Sequence, residues 1–114
     1  MTTFTEVPRA GAFLLSEGNG SISREKITVV AGDVMPAGQV LGKITASGKL
    51  TAYNNAATDG SEAAVGILYG PLEASTDDRI AVAIVRVAEV EEAALTGFDE
   101  AARADLAAWL VICR

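Results

Sequence analysis

The segment from Ile80 to Val90, IAVAIVRVAEV, constrains the fold more than any other part of this 114-residue chain. It is rich in β-branched residues and contains neither glycine nor proline, which predicts a β-strand. Apolar residues occupy its even positions, Ile80, Val82 and Ile84, and also its odd positions up to Val87, so both faces of such a strand need cover. We predict that the second cover comes either from a neighbouring subunit or from a loop of the same chain.

Short apolar runs separated by turn residues fill the region between Arg24 and Tyr69 and indicate a β-rich domain. Residues 49–53 are predicted to pair with the strand before them as a hairpin across Ala46-Ser47-Gly48, where glycine can adopt a positive φ. The polar run 54–62 indicates a loop. Gly66, inside the strand that follows, indicates a bulge or a close backbone approach.

One helix is predicted near the C-terminal end, followed by a short strand. Asp99 can cap a helix that runs to about Leu110. Apolar residues at helical spacing form a stripe that predicts packing against the core: Phe98, Ala102, Leu106, Trp109 and Leu110. Residues 111–113 are predicted to form a closing strand, in which the single cysteine, Cys113, is a small buried apolar residue.

The first twenty residues show no sustained periodicity and are predicted to form a flexible N-terminal arm, residues 1–20, in front of a β domain, residues 21–114. The arm carries Phe13, Leu14 and Leu15, whereas a merely disordered segment is poor in such side chains. We therefore expect these apolar side chains to pack against another surface. Two arrangements stay open, a first strand on the protein's own core or an arm that becomes ordered on a partner.

The chain is long enough for one domain, which at this size buries roughly two-thirds of its unfolded surface. Half of the residues are hydrophobic but only 5% are aromatic, so the core is thin. Small domains with thin cores are often completed by disulfides, metals or oligomerisation. One cysteine and no histidine argue against the first two, so we predict an oligomer.

The residue inventory argues against an enzyme. Without histidine, the Ser-His-Asp and Cys-His arrangements are excluded, and the adjacent carboxylates Asp77-Asp78 and Glu91-Glu92 would point in different directions on a strand or helix. We predict no catalytic residues, no metal site and no cofactor.

The net charge and the hydropathy of the chain also limit the classes of partner that it can bind. A net charge of -6 argues against a nucleic-acid partner, and no apolar run reaches the roughly 20 residues of a membrane span. One enzyme-related alternative stays open, a non-catalytic β-clip or carrier-like domain of a multi-subunit bacterial enzyme, because GDVMPAGQVLGKI is superficially similar to lipoyl and biotinyl domains. Lys43 and Lys49, however, lack the tripeptide that such carriers need.

Several blocks in order resemble the lambda-type phage head decoration protein family. They are EGNGSISREKITVVAGDVMPAGQVLGKI, then DGSEAAVGILYGPLEAS, then the apolar strand with its C-terminal helix and short strand, together covering about residues 17 to 114. The most telling part is Asp59-Gly60 followed by residues 64–68, Ala-Val-Gly-Ile-Leu. The resemblance depends on the order of these blocks, since none of them is chemically diagnostic alone.

The resemblance implies a mainly β, β-clip-like single domain with little helix, made in the bacterial host cytoplasm from a phage or prophage gene and located on the outer capsid surface of the virion. It implies homotrimers that bind the major capsid protein at three-fold and quasi-three-fold sites of an expanded capsid and stabilise the shell against DNA pressure.

The family resemblance further implies that the arm pairs with capsid-protein strands. Our candidate capsid contacts are Phe13, Leu14, Leu15 and Ile22. Our candidate trimer contacts are Ile80, Val82, Ile84 and Val85. Deleting residues 1–15 is then expected to leave folding intact and to abolish capsid binding.

Overall fold

The computed structural model describes residues 10–19 and 22–114. The strands are β1 (Leu14–Glu17), β2 (Arg24–Val29), β3 (Val40–Lys43), β4 (Leu50–Ala52), β5 (Ala64–Leu68), β6 (Arg79–Ile84), β7 (Ala88–Val90) and β8 (Val111–Cys113). A short 3-10 turn spans Glu92–Ala94, and one α-helix, α1, spans Glu100–Ala107 within the described ranges. The predicted mainly β class with a helix near the C-terminus is confirmed.

Five strands form a closed barrel in the order β2-β4-β3-β5-β6. The β2–β6 pair is antiparallel over six residues, from Arg24 opposite Ile84 to Val29 opposite Arg79. The predicted hairpin is present as β3 and β4, and Gly48 in its turn has φ +75°. Strands β2 and β4 run parallel and pair through a single position, Val29 opposite Leu50, so the barrel is closed weakly on this side.

A second, three-stranded sheet has the order β1-β7-β8, with β1 antiparallel and β8 parallel to β7. Of the two arrangements open for the start of the chain, the structure has a first strand on the protein's own core for residues 14–17. The register of β1 slips between Leu14, opposite Val90, and Ser16, opposite Glu89. Because of this slip, Leu15 is an extra residue in its strand.

The prediction of one continuous strand over residues 80–90 is wrong. The segment is divided between β6 in the barrel and β7 in the small sheet. The chain turns at Val87, whose φ of +48° is rare for a β-branched residue. Hydrogen bonds hold this turn, since Ser23 Oγ donates to the Val87 carbonyl at 2.6 Å and the Val87 N–H donates to the Trp109 carbonyl.

The two apolar faces of β6 have different surroundings. Its odd-numbered residues Ala81 and Ala83 line the barrel interior, where the core includes Val29, Leu41, Leu50 and Leu68. On its other face Ile84 is buried in a second core between the barrel, the small sheet and α1. Ile80 and Val82 on that same face stay exposed, at 68% and 39%. The chain's own second layer therefore covers only one end of β6.

The capped helix is confirmed, but its end was predicted wrongly. Asp99 accepts a 2.8 Å hydrogen bond from the Ala102 N–H, and Ala102 and Leu106 are buried as predicted. The helix ends at Ala107, and the following residues turn away from the core, Leu110 with φ +63°. Trp109 and Leu110 are consequently exposed, at 57% and 63%, and do not belong to the core stripe.

Three smaller predictions are confirmed. Residues 54–62 form a loop held by turns in which Asn54 and Asp59 side chains accept backbone N–H groups. At Gly66 the β3–β5 register slips, and a Cβ atom there would lie 3.0 Å from a Val85 methyl and 3.1 Å from the Ile84 carbonyl. Cys113 in β8 is buried.

Candidate partner-binding surfaces

Phe13 lies inside the protein and not on a projecting arm. Only 1% of its side chain is exposed, and it packs in the core between barrel, small sheet and helix. Its carbonyl accepts from the Glu91 N–H at 2.8 Å, and the Gly11 N–H donates to the Tyr69 carbonyl at 2.9 Å. Leu14 is half-buried against the same core. Phe13 therefore has no surface to offer a capsid in this structure, because its ring fills space in a thin core.

Leu15 and Ile22, the other two candidate capsid contacts, are each 52% exposed. Ile22 precedes β2 and lies beside Gly18 and Val87, since a Cβ atom on Gly18 would meet both side chains. The exposed apolar residues on the small sheet and the turns leading into it make up what we call the sheet patch: Leu15, Ile22, Val87, Trp109, Leu110 and Ile112. Grouped exposed apolar side chains commonly mark interaction surfaces.

Backbone strain coincides with the sheet patch. Val87 and Leu110 are the two non-glycine residues with positive φ in the described ranges. They are close together, because the Val87 N–H donates to the Trp109 carbonyl at 3.2 Å and the Ala88 N–H donates to the Leu110 carbonyl at 3.1 Å. A left-handed conformation costs roughly 1–2 kcal/mol for such residues, and strain of this kind clusters at binding surfaces. Val87, Trp109 and Leu110 are exposed where the backbone adopts these two left-handed conformations.

A second apolar surface lies on the barrel. Of the four candidate trimer contacts, Ile80 and Val82 are exposed, Ile84 is fully buried, and Val85 is half-buried against the barrel core. Ile80 lies opposite Thr28 and Val82 opposite Lys26 on the neighbouring strand β2. We call Ile80 and Val82 the barrel patch. Ile84 is covered by the protein's own layers, whereas Val85 keeps part of its side chain exposed and its predicted contact role stays a prediction.

An ion pair fixes the small sheet to the barrel. Arg24 on β2 donates through Nη2 and Nε to the two carboxylate oxygens of Glu17 on β1, at 2.7 and 3.0 Å. The same guanidinium lies 4.2 Å from the centre of the Tyr69 ring. The hydrogen bonds from Arg24 lower the pKa of Glu17. The position of β1, and with it Leu15, is thus set by a charged contact as well as by its pairing with β7.

Two kinds of site are absent from residues 10–19 and 22–114. No three or more aspartate, glutamate, histidine or cysteine side chains are close enough together to hold a metal ion in these ranges. In the same ranges, no helix has the length and apolar character needed to span a membrane.

Sequence reasoning missed most of the sheet patch. The helical spacing of Trp109 and Leu110 assigned them to the core stripe, and Val87 and Ile112 were assigned to strands without a surface role. The sequence carried no signal for this, because the helical spacing of Trp109 and Leu110 is the same whether or not the helix continues past Ala107.

Comparison with known proteins supplies the family. The family model described as bacteriophage lambda head decoration protein D matches residues 3–110. The match spans almost the whole of the 114 residues and includes both candidate contacts of the sheet patch, Leu15 and Ile22, and the barrel patch. No curated protein sequence matches the chain. The chain belongs to the bacteriophage lambda head decoration protein D family.

Proposed function

We propose that this structural protein of the phage head binds as a homotrimer to the outer surface of an expanded capsid. The trimers occupy three-fold and quasi-three-fold sites and stabilise the shell against the pressure of packaged DNA. Family membership supports the capsid role. The trimer and its binding to the capsid surface are supported by two separate exposed apolar surfaces, the sheet patch and the barrel patch. A decoration trimer needs one surface for the shell and one for its sister subunits.

The sheet patch is the proposed capsid-binding surface. Its strand β1 directly follows the N-terminal segment and is an outer strand that pairs only with β7 in the described structure. An open strand edge can accept a strand from a partner, with backbone hydrogen bonds giving affinity and alternate side chains giving specificity. Exposed side chains supply apolar area for the same contact: Leu15 lies beside that edge, and Ile22 and Trp109 lie farther along the patch.

The barrel patch is the proposed contact between sister subunits. Ile80 and Val82 continue the face of β6 whose other end, at Ile84, is already covered by the second layer. A neighbouring copy would extend this cover along the strand. Fully burying an isoleucine or valine side chain contributes about 1.5–3 kcal/mol. Two such residues per subunit, repeated three times around an axis, give a substantial closed contact.

Separate variants of the two patches test the proposal. We expect Leu15→Ser with Ile22→Ser to prevent co-sedimentation with expanded capsids and to leave self-association unchanged. We expect Ile80→Asp with Val82→Asp to reduce the sedimentation coefficient to that of a monomer. Val34→Ser, at an equally exposed residue outside both patches, is the control. Capsid binding by the first double variant at wild-type level would refute the assignment of the sheet patch, and an unchanged oligomer in the second would refute that of the barrel patch.

The truncation experiment needs a different boundary from the one that the sequence suggested. Deleting residues 1–15 removes Phe13 from the core and part of β1 from the small sheet, so loss of folding would accompany loss of binding. Deleting residues 1–9 leaves every described element in place. We expect this shorter deletion to keep the folded state and to weaken capsid binding.

The carrier-like alternative has less support. Lys49 follows the hairpin turn but its ammonium group forms an ion pair with Asp78 at 2.5 Å, whereas a carrier lysine must be free for attachment. The family match also favours decoration over a carrier role.

A further inference from the structure

A groove of about 590 Å³ opens into the barrel where β2 and β4 diverge. Its two walls are residues 25–28 of β2 and residues 47–50 of the β3–β4 hairpin. It exists because the two parallel strands pair only at Val29 and Leu50. Of its lining residues only Trp109 belongs to either patch of the proposed function, so the patches do not account for the groove.

The floor of the groove is aliphatic. Ile27, Leu50, Val65 and Val85 belong to the barrel core and also line the groove. Trp109, the only tryptophan of the chain, lies at the rim and is more than half exposed. An apolar side chain that entered the groove would therefore meet core side chains below it and an aromatic ring beside it, the composition typical of a binding pocket.

The rim is basic, although the protein is acidic. The chain has three lysines, and all three line the groove: Lys26, Lys43 and Lys49. Arg86 is a fourth cation and Glu25 is the carboxylate among the lining residues. Arg86 is paired with Glu25 and Lys49 with Asp78, whereas Lys26 and Lys43 form no ion pair within residues 10–19 and 22–114. Two exposed ammonium groups thus line the groove.

One wall of the groove is also an open strand edge. Strand β2 pairs with β6 along its whole length on one side, but on the other side its pairing with β4 begins only at Val29. Backbone groups alternate in direction along a strand. The Val30 N–H donates to the Leu50 carbonyl, so the N–H groups of Lys26 and Thr28 face the same side, towards the groove. An extended peptide can pair with such an edge.

We propose that this groove binds an extended, acidic segment of a partner polypeptide. The segment adds to the edge of β2, its apolar side chain enters between Ile27 and Leu50, and its carboxylates pair with Lys26 and Lys43. The proposal does not depend on the decoration function, since free protein is sufficient to test it. Single-stranded nucleic acid would also find cations and a tryptophan here, but the aliphatic floor and the open strand edge favour a peptide.

The test uses the full chain and three capped pentapeptides of sequence Glu-Thr-Leu-Thr-Glu, Gln-Thr-Leu-Thr-Gln and Glu-Thr-Gly-Thr-Glu. Trp109 fluorescence reports binding, and ¹⁵N chemical shifts of the Lys26 and Thr28 amides report its location. We expect the first peptide to bind about tenfold more tightly than either of the others, because each of those lacks one recognised feature. Added salt should weaken its binding.

Charge-reversal variants give the matched control. We expect Lys43→Glu to weaken binding of the first peptide about tenfold, whereas Arg114→Glu, which makes the same change in net charge outside the groove, should leave it unchanged. Both residues are exposed, so both variants should fold. Equal binding of the acidic and neutral peptides, unchanged Lys26 and Thr28 shifts, or tighter binding of an oligothymidylate than of the acidic peptide would each overturn the proposal.

Discussion

The hydroxyl of Tyr53 donates a 2.9 Å hydrogen bond to Oδ1 of Asp99, the same oxygen that accepts the Ala102 N–H. Tyr53 follows β4 in the barrel and Asp99 is the cap of α1. One carboxylate therefore caps the helix and connects it to the barrel. The connection fixes the helix that leads to Trp109, Leu110 and Ile112 of the sheet patch.

We expect Tyr53→Phe to lower the free energy of unfolding by about 1 kcal/mol, the net contribution of one hydrogen bond. Asp99→Ala should cost more, about 2 kcal/mol, because the helix also loses its cap. Urea denaturation monitored by circular dichroism measures both. If Asp99→Ala were no more destabilising than Tyr53→Phe, the capping bond would contribute nothing to stability.

Alkaline pH should lower the stability of the folded state through the same tyrosine, Tyr53. Burial, with the hydrogen bond to Asp99, raises the pKa of Tyr53 from 10.0 to about 12. The folded state therefore favours the neutral phenol, and this stabilisation is fully present below the unfolded pKa and is lost as the pH rises through the folded pKa. A titration that follows tyrosinate absorbance should show a late phase that disappears in Tyr53→Phe. A late phase that survives this substitution would contradict the assignment.

Phe13 and Leu15 should behave oppositely although they are two residues apart. Phe13→Ala leaves a cavity in the core and should cost about 3–5 kcal/mol. Leu15→Ala removes a half-exposed side chain and should change stability by about 0.5 kcal/mol or less. Thermal or urea denaturation of the two variants tests this. Similar stabilities for both would mean that residues 13–15 do not pack as the structure has them.

The thiol of Cys113 should react slowly. Its burial in β8 raises its pKa, and only the thiolate attacks disulfide reagents. We expect the native protein to react many times more slowly with an aromatic disulfide reagent than the same protein in urea. Equal rates in the two conditions would show that β8 is open to solvent.

Local sequence signals predicted the elements whose determinants are local. The hairpin around Gly48 and the start of the helix after Asp99 each depend on a few adjacent residues, and both were predicted correctly. The class of fold followed from the number of such strands. The candidate contacts Leu15, Ile22, Ile80 and Val82 are exposed as a binding role requires, and that role stays a prediction.

Elements that depend on distant partners could not be predicted. The turn at Val87 is held by Ser23 and Trp109, so its own β-branched sequence gave the opposite signal. Phe13 is buried because Tyr69 and Glu91 hold the backbone around it. The groove beside β2 arises from the divergence of two parallel strands, which no residue pattern in either strand indicates.

The order β1-β7-β8 also determines when the molecule can be completed. Ser16 bonds to Glu89, 73 positions further along the chain, and β8 is made of residues 111–113. During synthesis the barrel strands β2 to β6 all leave the ribosome before the two partners that hold the small sheet together. Closing so long a loop is slow, because the chain loses entropy before the stabilising contacts between the two strands form. Strand β1 therefore stays without its partner β7 until residues 88–90 have been made.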